Sequence, residues 1–296
     1  MEVCGIDEWD KKRKAGPAMW LRASQEVATD ALCLKRNQLR MANSVVLEIC
    51  VESLDHAVAA ESGGADRVEL CSDLSCGGVT PSADLMRAVR QQVRIPVHGL
   101  IRPRSGDFCY SKREFETIKR DISVAKDIGL DGIVLGLLDP IGHVDRESTR
   151  VLVQSAHPLP VTFHRAFDQC PDLTVALEAV IETGAKRILT SGGKATVVDG
   201  LVSVAHLLRA AQDRIVIMPG GGIRSVNIER ILRSTGTREI HTSLDGSKPK
   251  SSDTAGRDMK LSAGLPADWF EERVRKFKRE VEKACLISPT PDELPG

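Results

Sequence analysis

A chain of 296 residues with 41 basic and 41 acidic side chains has no formal net charge, which disfavours bulk electrostatic binding to nucleic acid or to an anionic membrane. A single (β/α) barrel of roughly 250 residues with tails is an ordinary solution at this length, and a core of that size needs no disulfide or structural metal to hold it together. The eight cysteines, at 4, 33, 50, 71, 76, 109, 170 and 285, form no CxxC pair and read as reduced thiols of a cytosolic protein. No apolar run approaches the roughly 18 residues of a membrane span, and the N-terminus lacks the apolar core of a signal peptide.

Residues 1–43 carry charged clusters and a Gly16-Pro17 break and are expected to form a loosely ordered extension. Its acidic residues argue against a transit peptide. Lys11-Lys12-Arg13-Lys14 reads either as a nuclear-localisation patch or as solvated charge. From 44 to 286 the pattern becomes regular. A strand is predicted over 45–51, then a helix over 53–62; a strand over 67–71, then a helix over 82–91; a strand over 95–102, then a helix over 112–128. The alternation continues with strand 132–137 and helix 145–155, strand 160–165 and helix 173–183, strand 186–191 and helix 197–211. It closes with strand 215–218 and helix 225–233, strand 239–243 and helix 268–285, leaving 287–296 as a flexible tail. Glycines at 63, 64, 129, 184 and 236 stand where left-handed helix caps are expected.

Eight strand and helix alternations with short connections indicate a single (β/α)8 TIM-type barrel with an N-terminal extension. The competing open, doubly wound sheet would carry GxGxxG after its first strand, and this chain does not. Side chains alternate along a strand, so Glu48 shares a face with Cys50, Glu69 with Cys71, His98 with Leu100 and Arg102, and Thr162 with His164. If that face lines the barrel, these groups converge at the strands' C-terminal ends, where barrel enzymes hold their sites.

The segments Leu47-Glu48-Ile49-Cys50, Gly63-Gly64-Ala65-Asp66-Arg67-Val68-Glu69-Leu70-Cys71 and Gly77-Gly78-Val79-Thr80-Pro81-Ser82 are similar to those of the CutC family of copper-homeostasis barrel proteins. So are Ile101-Arg102-Pro103-Arg104-Ser105-Gly106-Asp107-Phe108, Thr162-Phe163-His164-Arg165-Ala166-Phe167-Asp168, Leu189-Thr190-Ser191-Gly192 and Pro219-Gly220-Gly221-Gly222-Ile223. The resemblance runs from about Val45 to about His241. It implies a TIM-type barrel, a cytosolic location with some nuclear presence, and Cu(I) bound by Cys50 and Cys71. Cys76 departs from the pattern, standing where many relatives have an acidic residue.

Two thiolates at adjacent strand ends suit Cu(I), a soft ion that favours sulfur; equivalent positions on adjacent strands lie roughly 4.8 Å apart. Each cysteine can equally be a small buried hydrophobe. Glu48 and Glu69 need cations or donors if they lie inside a barrel. Arg102, Arg104 and Arg165 can supply these, either in a structural ion-pair plug or in an active site with His164 as acid or base. The turn holding Gly221 and Gly222 follows strand seven, where barrels bind phosphate through backbone N–H groups. Ser191, Gly192 and Arg104 are further anion-binding candidates. The expected partner is therefore a copper ion or a small anionic molecule; a homo-oligomer stays open.

Overall fold

The computed structural model describes residues 44–244 and 266–287. The expected extension over 1–43, most of the expected tail and the segment after Leu244 lie outside the described residues. Eight parallel strands form one sheet: β1 Val46–Val51, β2 Arg67–Leu70, β3 Val97–Leu100, β4 Gly132–Leu135, β5 Val161–Phe163, β6 Arg187–Thr190, β7 Val216–Pro219 and β8 Glu239–Thr242. They are ordered β7-β6-β5-β4-β3-β2-β1-β8, and a parallel bridge between Gly220 and His241 joins the two ends. The result is the (β/α)8 barrel.

Helices follow the strands in turn: α1 Leu54–Ser62, α2 Ala83–Gln92, α3 Lys112–Ile128, α4 Arg146–Ala156, α5 Leu173–Thr183, α6 Leu201–Ala211, α7 Ile228–Thr235 and α8 Ala267–Ile287. Side-chain oxygens of Ser53, Ser82, Ser111, Asp145 and Asp172 accept from backbone N–H groups of the first turns of α1 to α5, satisfying donors that a helix start leaves unpaired. Ser111 and Glu114 cap each other reciprocally. Left-handed glycines at 129, 184 and 236 end α3, α5 and α7.

Alternation along each strand divides the molecule into two apolar regions. Outward residues such as Leu47, Ile49, Val68, Leu70, Ile133, Phe163, Ile188 and Ile240 pack under the helices in one continuous core, each contributing about 1.5–3 kcal/mol by leaving water. Inward, a separate small cluster holds Cys50, Cys71, Leu100 and Val134, with Leu74 packed against it. Most of the predicted strands are shorter than expected, β3 and β5 by the largest margins. β3 stops at Leu100 because the Arg102 N–H turns to the Thr80 hydroxyl at 2.9 Å. β5 stops at Phe163 because His164 caps the 3-10 helix Arg165–Gln169.

Candidate functional site

The lower layer of the barrel interior is a closed ion-pair network. Glu48, fully buried on β1, accepts a hydrogen bond from Arg67 Nε at the start of β2. Arg67 Nη2 reaches Glu239 on β8 at 2.6 Å, and Arg187 on β6 donates to the same carboxylate at 2.5 and 3.0 Å. Arg187 Nη1 also meets the Thr162 hydroxyl at 3.2 Å. Two carboxylates thus face two guanidiniums, which is what makes four charges tolerable in a barrel. Burial works against the Glu48 charge, but the hydrogen bond with His241 and the charge of Arg67 hold its carboxyl well below the usual carboxylate range. His98 lies beside this layer, its pKa brought down to about 4 by burial despite the nearby Glu48.

One layer higher the chemistry changes. Register pairs Cys50 with Glu69, not with Cys71, which lies two residues further along the strand. The cysteines are therefore diagonal neighbours, a correction to the expectation of equivalent positions, because the strands of a closed barrel are staggered. Their side chains still converge: the two Sγ atoms are 3.5 Å apart, and Cys50 Sγ lies 3.4 Å from Glu69 Oε1. Both thiols are buried, at 3% and 0% exposure. The Cys71 contact, burial and the Glu69 carboxylate together push the Cys50 thiol well above its ordinary value. Burial raises Glu69 as well, and its Oε2 has no hydrogen-bond partner among the described residues. His241 joins the two layers, with Nδ1 2.7 Å from Glu48 Oε1. Burial alone would lower its pKa, but the charges of Glu69 and Glu48 raise it.

His164 and Arg102 follow β5 and β3 and both pack against the Phe108 ring, each at 4.8 Å. His164 Nδ1 accepts from the Ala166 N–H at 3.2 Å, so a neutral ring carries its proton on Nε2. That Nε2 is buried without a partner among the described residues. Burial, reinforced by the charge of Arg102, brings the His164 pKa down to about 3. A glycine at the start of β4 and another just past its end make room for the histidines. A Cβ on Gly132 would lie 2.5 Å from the His98 ring, and one on Gly136 would collide with the His164 ring. Arg102 is 5% exposed and spends its guanidinium on the loops, donating to the carbonyls of Gly78 at 2.9 Å and Gly106 at 2.8 Å. It stacks over Phe108 at 4.8 Å.

The outer rim is largely self-satisfied. Arg104 pairs with Glu114 at 2.5 Å and Asp107 at 2.9 Å. The donors expected to receive an anion at strand six are turned to the protein's own carboxylate: Asp168 accepts from the N–H groups of Ser191 at 3.0 Å and Gly193 at 2.9 Å, and from the hydroxyls of Thr190 and Ser191. Gly192 N–H donates to Thr190 Oγ1 at 2.9 Å, and Arg165 Nε meets Asp168 at 2.9 Å. Gly221 and Gly222 adopt φ of 97° and 77°, conformations that only glycine takes without strain. The Gly221 and Gly222 carbonyls accept from Val197 N–H and Asn227 Nδ2.

The structure thus gathers Cys50, Cys71 and Glu69 at one point and brings His164 and Arg102 together on Phe108. It puts Glu48 in the layer below and Arg104, Ser191, Gly192, Gly221 and Gly222 on the rim. Sequence reasoning gave no site role to Arg67, Arg187, Glu239, His241 or Asp168. Strand parity carried a signal for four of them, since Arg67 and Glu69 share a face, as do Glu239 and His241, and Arg187 follows the same rule on β6. Asp168 had none, because its role depends on a nest built 23 residues later.

A model of the CutC family matches residues 45–246. The chain is 45% identical over 233 residues to the copper homeostasis protein cutC homolog of Homo sapiens, covering 79% of this chain and 85% of that protein. It is 45% identical over 200 residues to a family protein CutC of Xanthomonas campestris pv. campestris strain 8004, covering 68% and 83%. Among solved structures, a CutC protein from Streptococcus agalactiae superposes with a TM-score of 0.64 at 32% identity, covering 67% of this chain and 98% of that one.

Proposed function

Since the chain belongs to the CutC family, we propose that it handles copper by holding Cu(I) between the thiolates of Cys50 and Cys71. The observation that carries this reading is the pair of sulfurs 3.5 Å apart at the strand ends. Two soft donors suit Cu(I), which accepts low coordination numbers, and the apolar walls of Leu100, Val134 and Leu74 would keep water from the ion. The thiol of Cys50 is protonated in the resting protein, so capture of the ion releases a proton and apparent affinity rises with pH. Glu69 Oε1 is the acceptor nearest to that thiol. We place this activity in the cytosol, with some nuclear presence, where free thiols stay reduced.

The test is an anaerobic Cu(I) titration against a competing chelator. Cys50→Ser and Cys71→Ser should each weaken Cu(I) by about a hundredfold, roughly 2.7 kcal/mol. Unchanged affinity in both variants sinks the thiolate-pair site.

A second reading, an enzyme acting on a small anionic or phosphorylated molecule, draws on the unpartnered Nε2 of His164 and Oε2 of Glu69. In it His164 acts near neutral pH as a donor, since its Nδ1 lone pair is engaged and its pKa is low. Arg102 would then hold the walls of the pocket, and an anion would sit by Gly221 and Gly222. This reading expects stabilisation by some phosphorylated metabolite in a thermal-shift screen, lost in His164→Ala. A screen without any shift argues for copper handling alone.

A further inference from the structure

Cys50 belongs to two donor sets, and only one of them is all sulfur. The ligand atoms of Cys50, Glu69 and His241 lie within 4.8 Å of one another, a group that Cys71 does not join. A thiolate, a carboxylate and an imidazole are the mixed donors that zinc and similar borderline divalent ions take, whereas a carboxylate adds little for Cu(I). Two further observations point to a ligand. Glu69 is 5% exposed, yet its Oε2 lacks a hydrogen-bond partner among the described residues; a buried acceptor left in this state is costly. His241 holds its Nδ1 2.7 Å from Glu48 Oε1, which fixes the ring; with the proton on that nitrogen, the Nε2 lone pair would be the one offered to an ion. A carboxylate behind a histidine is the usual outer support of a metal-bound imidazole, and here that carboxylate is itself anchored by Arg67.

We propose that Cys50, Glu69 and His241 form a site for a divalent cation of the zinc class, overlapping the thiol pair through Cys50 so that this ion and Cu(I) exclude each other. A dication facing one thiolate and one carboxylate leaves the cavity neutral, which removes the main objection to burying either anion. Three protein ligands leave a fourth tetrahedral position open, as in zinc sites that admit water or a substrate. The inference shares Cys50 with the copper reading but not its dependence on Cys71, so the two can fail separately.

The experiment uses the full-length protein, stripped of metal and kept anaerobic with a non-thiol reductant. Zn2+ affinity is measured by competition with a chromogenic chelator, and Co2+ serves as a spectroscopic probe for sulfur-to-metal charge transfer. One Zn2+ per chain is expected. Glu69→Gln and His241→Gln should each weaken Zn2+ at least about tenfold, and Cys50→Ser should abolish the Co2+ charge-transfer band. Cys71→Ser should keep both the band and the Zn2+ affinity while losing Cu(I) affinity. Zn2+ affinity unchanged in Glu69→Gln overturns the proposal, as does a loss in Cys71→Ser equal to that in Cys50→Ser, which would put the ion on the thiol pair. If circular dichroism shows that His241→Gln does not fold, Glu69→Gln decides alone. Retention of Cu(I) affinity in Cys71→Ser, with the Zn2+ pattern intact, would fail the copper reading and leave this one standing.

Discussion

The floor of the barrel and the layer above it are built from the same strands, only two residues apart, yet they treat their polar groups in opposite ways. On the floor, Glu48 and Glu239 are matched by Arg67 and Arg187, and Thr162 and Met218 accept two of the remaining guanidinium donors. In the layer above, Glu69 and His164 keep buried atoms without partners among the described residues, and two thiols face each other in an apolar cluster. A satisfied ion-pair network stiffens a barrel and has little left to bind with, although His98 beside it keeps its Nδ1 without a hydrogen-bond partner among the described residues. An unsatisfied one holds desolvation energy that a ligand can relieve. The contrast explains why both metal readings use the upper layer, and why Glu48, buried and paired, acts through His241.

The largest effect that would break this contrast is expected on the floor. Arg187→Met leaves the Glu239 carboxylate with Arg67 alone and should cost about 3–5 kcal/mol in urea unfolding, with Cu(I) affinity unchanged in the folded protein. Little loss of stability would mean that the floor is not the framework.

A smaller effect comes from the two glycines at the start and just past the end of β4. Gly132→Ala pushes against the His98 ring and Gly136→Ala against the His164 ring, each at about 1–3 kcal/mol. Only Gly136→Ala, by shifting His164, should alter ligand binding in the upper layer. Equal effects of the two substitutions on binding would merge the layers into one unit.

The smallest and most diagnostic effect is on pH. In the fold His164 and His98 have pKa values down to about 3 and about 4, from an ordinary 6.5. The unfolded chain therefore binds more protons below 6.5, and stability falls as pH is lowered, by about 1–2 kcal/mol per histidine on going to about pH 5. Glu48, held low, adds a loss of the same sign below its ordinary 4.5. His241 has the opposite sign: its pKa is raised above 6.5, so its contribution is complete below that value and is lost as pH rises through the folded one. Urea unfolding across a pH series should show roughly half the acid slope in His164→Gln. An unchanged slope would mean that His164 is protonated in the fold.

Much of this was legible in the chain because it is local. β-branched runs, serine and aspartate caps and terminal glycines each act within a few residues, so the eight alternations and their order could be read directly, with strand ends off by at most two positions. Inward parity is local too, and it brought Glu48, Cys50, Glu69, Cys71, Arg102 and His164 to one face. Arg102 shows the limit of such reading. Its residue type suits an anion, but the carbonyls of Gly78 and Gly106 reach it first. Ser191 repeats the lesson with Asp168, an internal carboxylate where an external anion was expected, and the Gly192 N–H is taken by the Thr190 hydroxyl.

The sequence by itself determined the class of fold, the face on which each polar residue stands and the family to which the chain belongs, since alternation and motif spacing need no long-range information. Tertiary structure alone decided the partners. Barrel closure staggers the strands, pairing Cys50 with Glu69 and Glu48 with His241, 193 residues away. Which charges are neutralised and which are left for a ligand follows from that stagger, a property of the closed sheet that no single strand encodes.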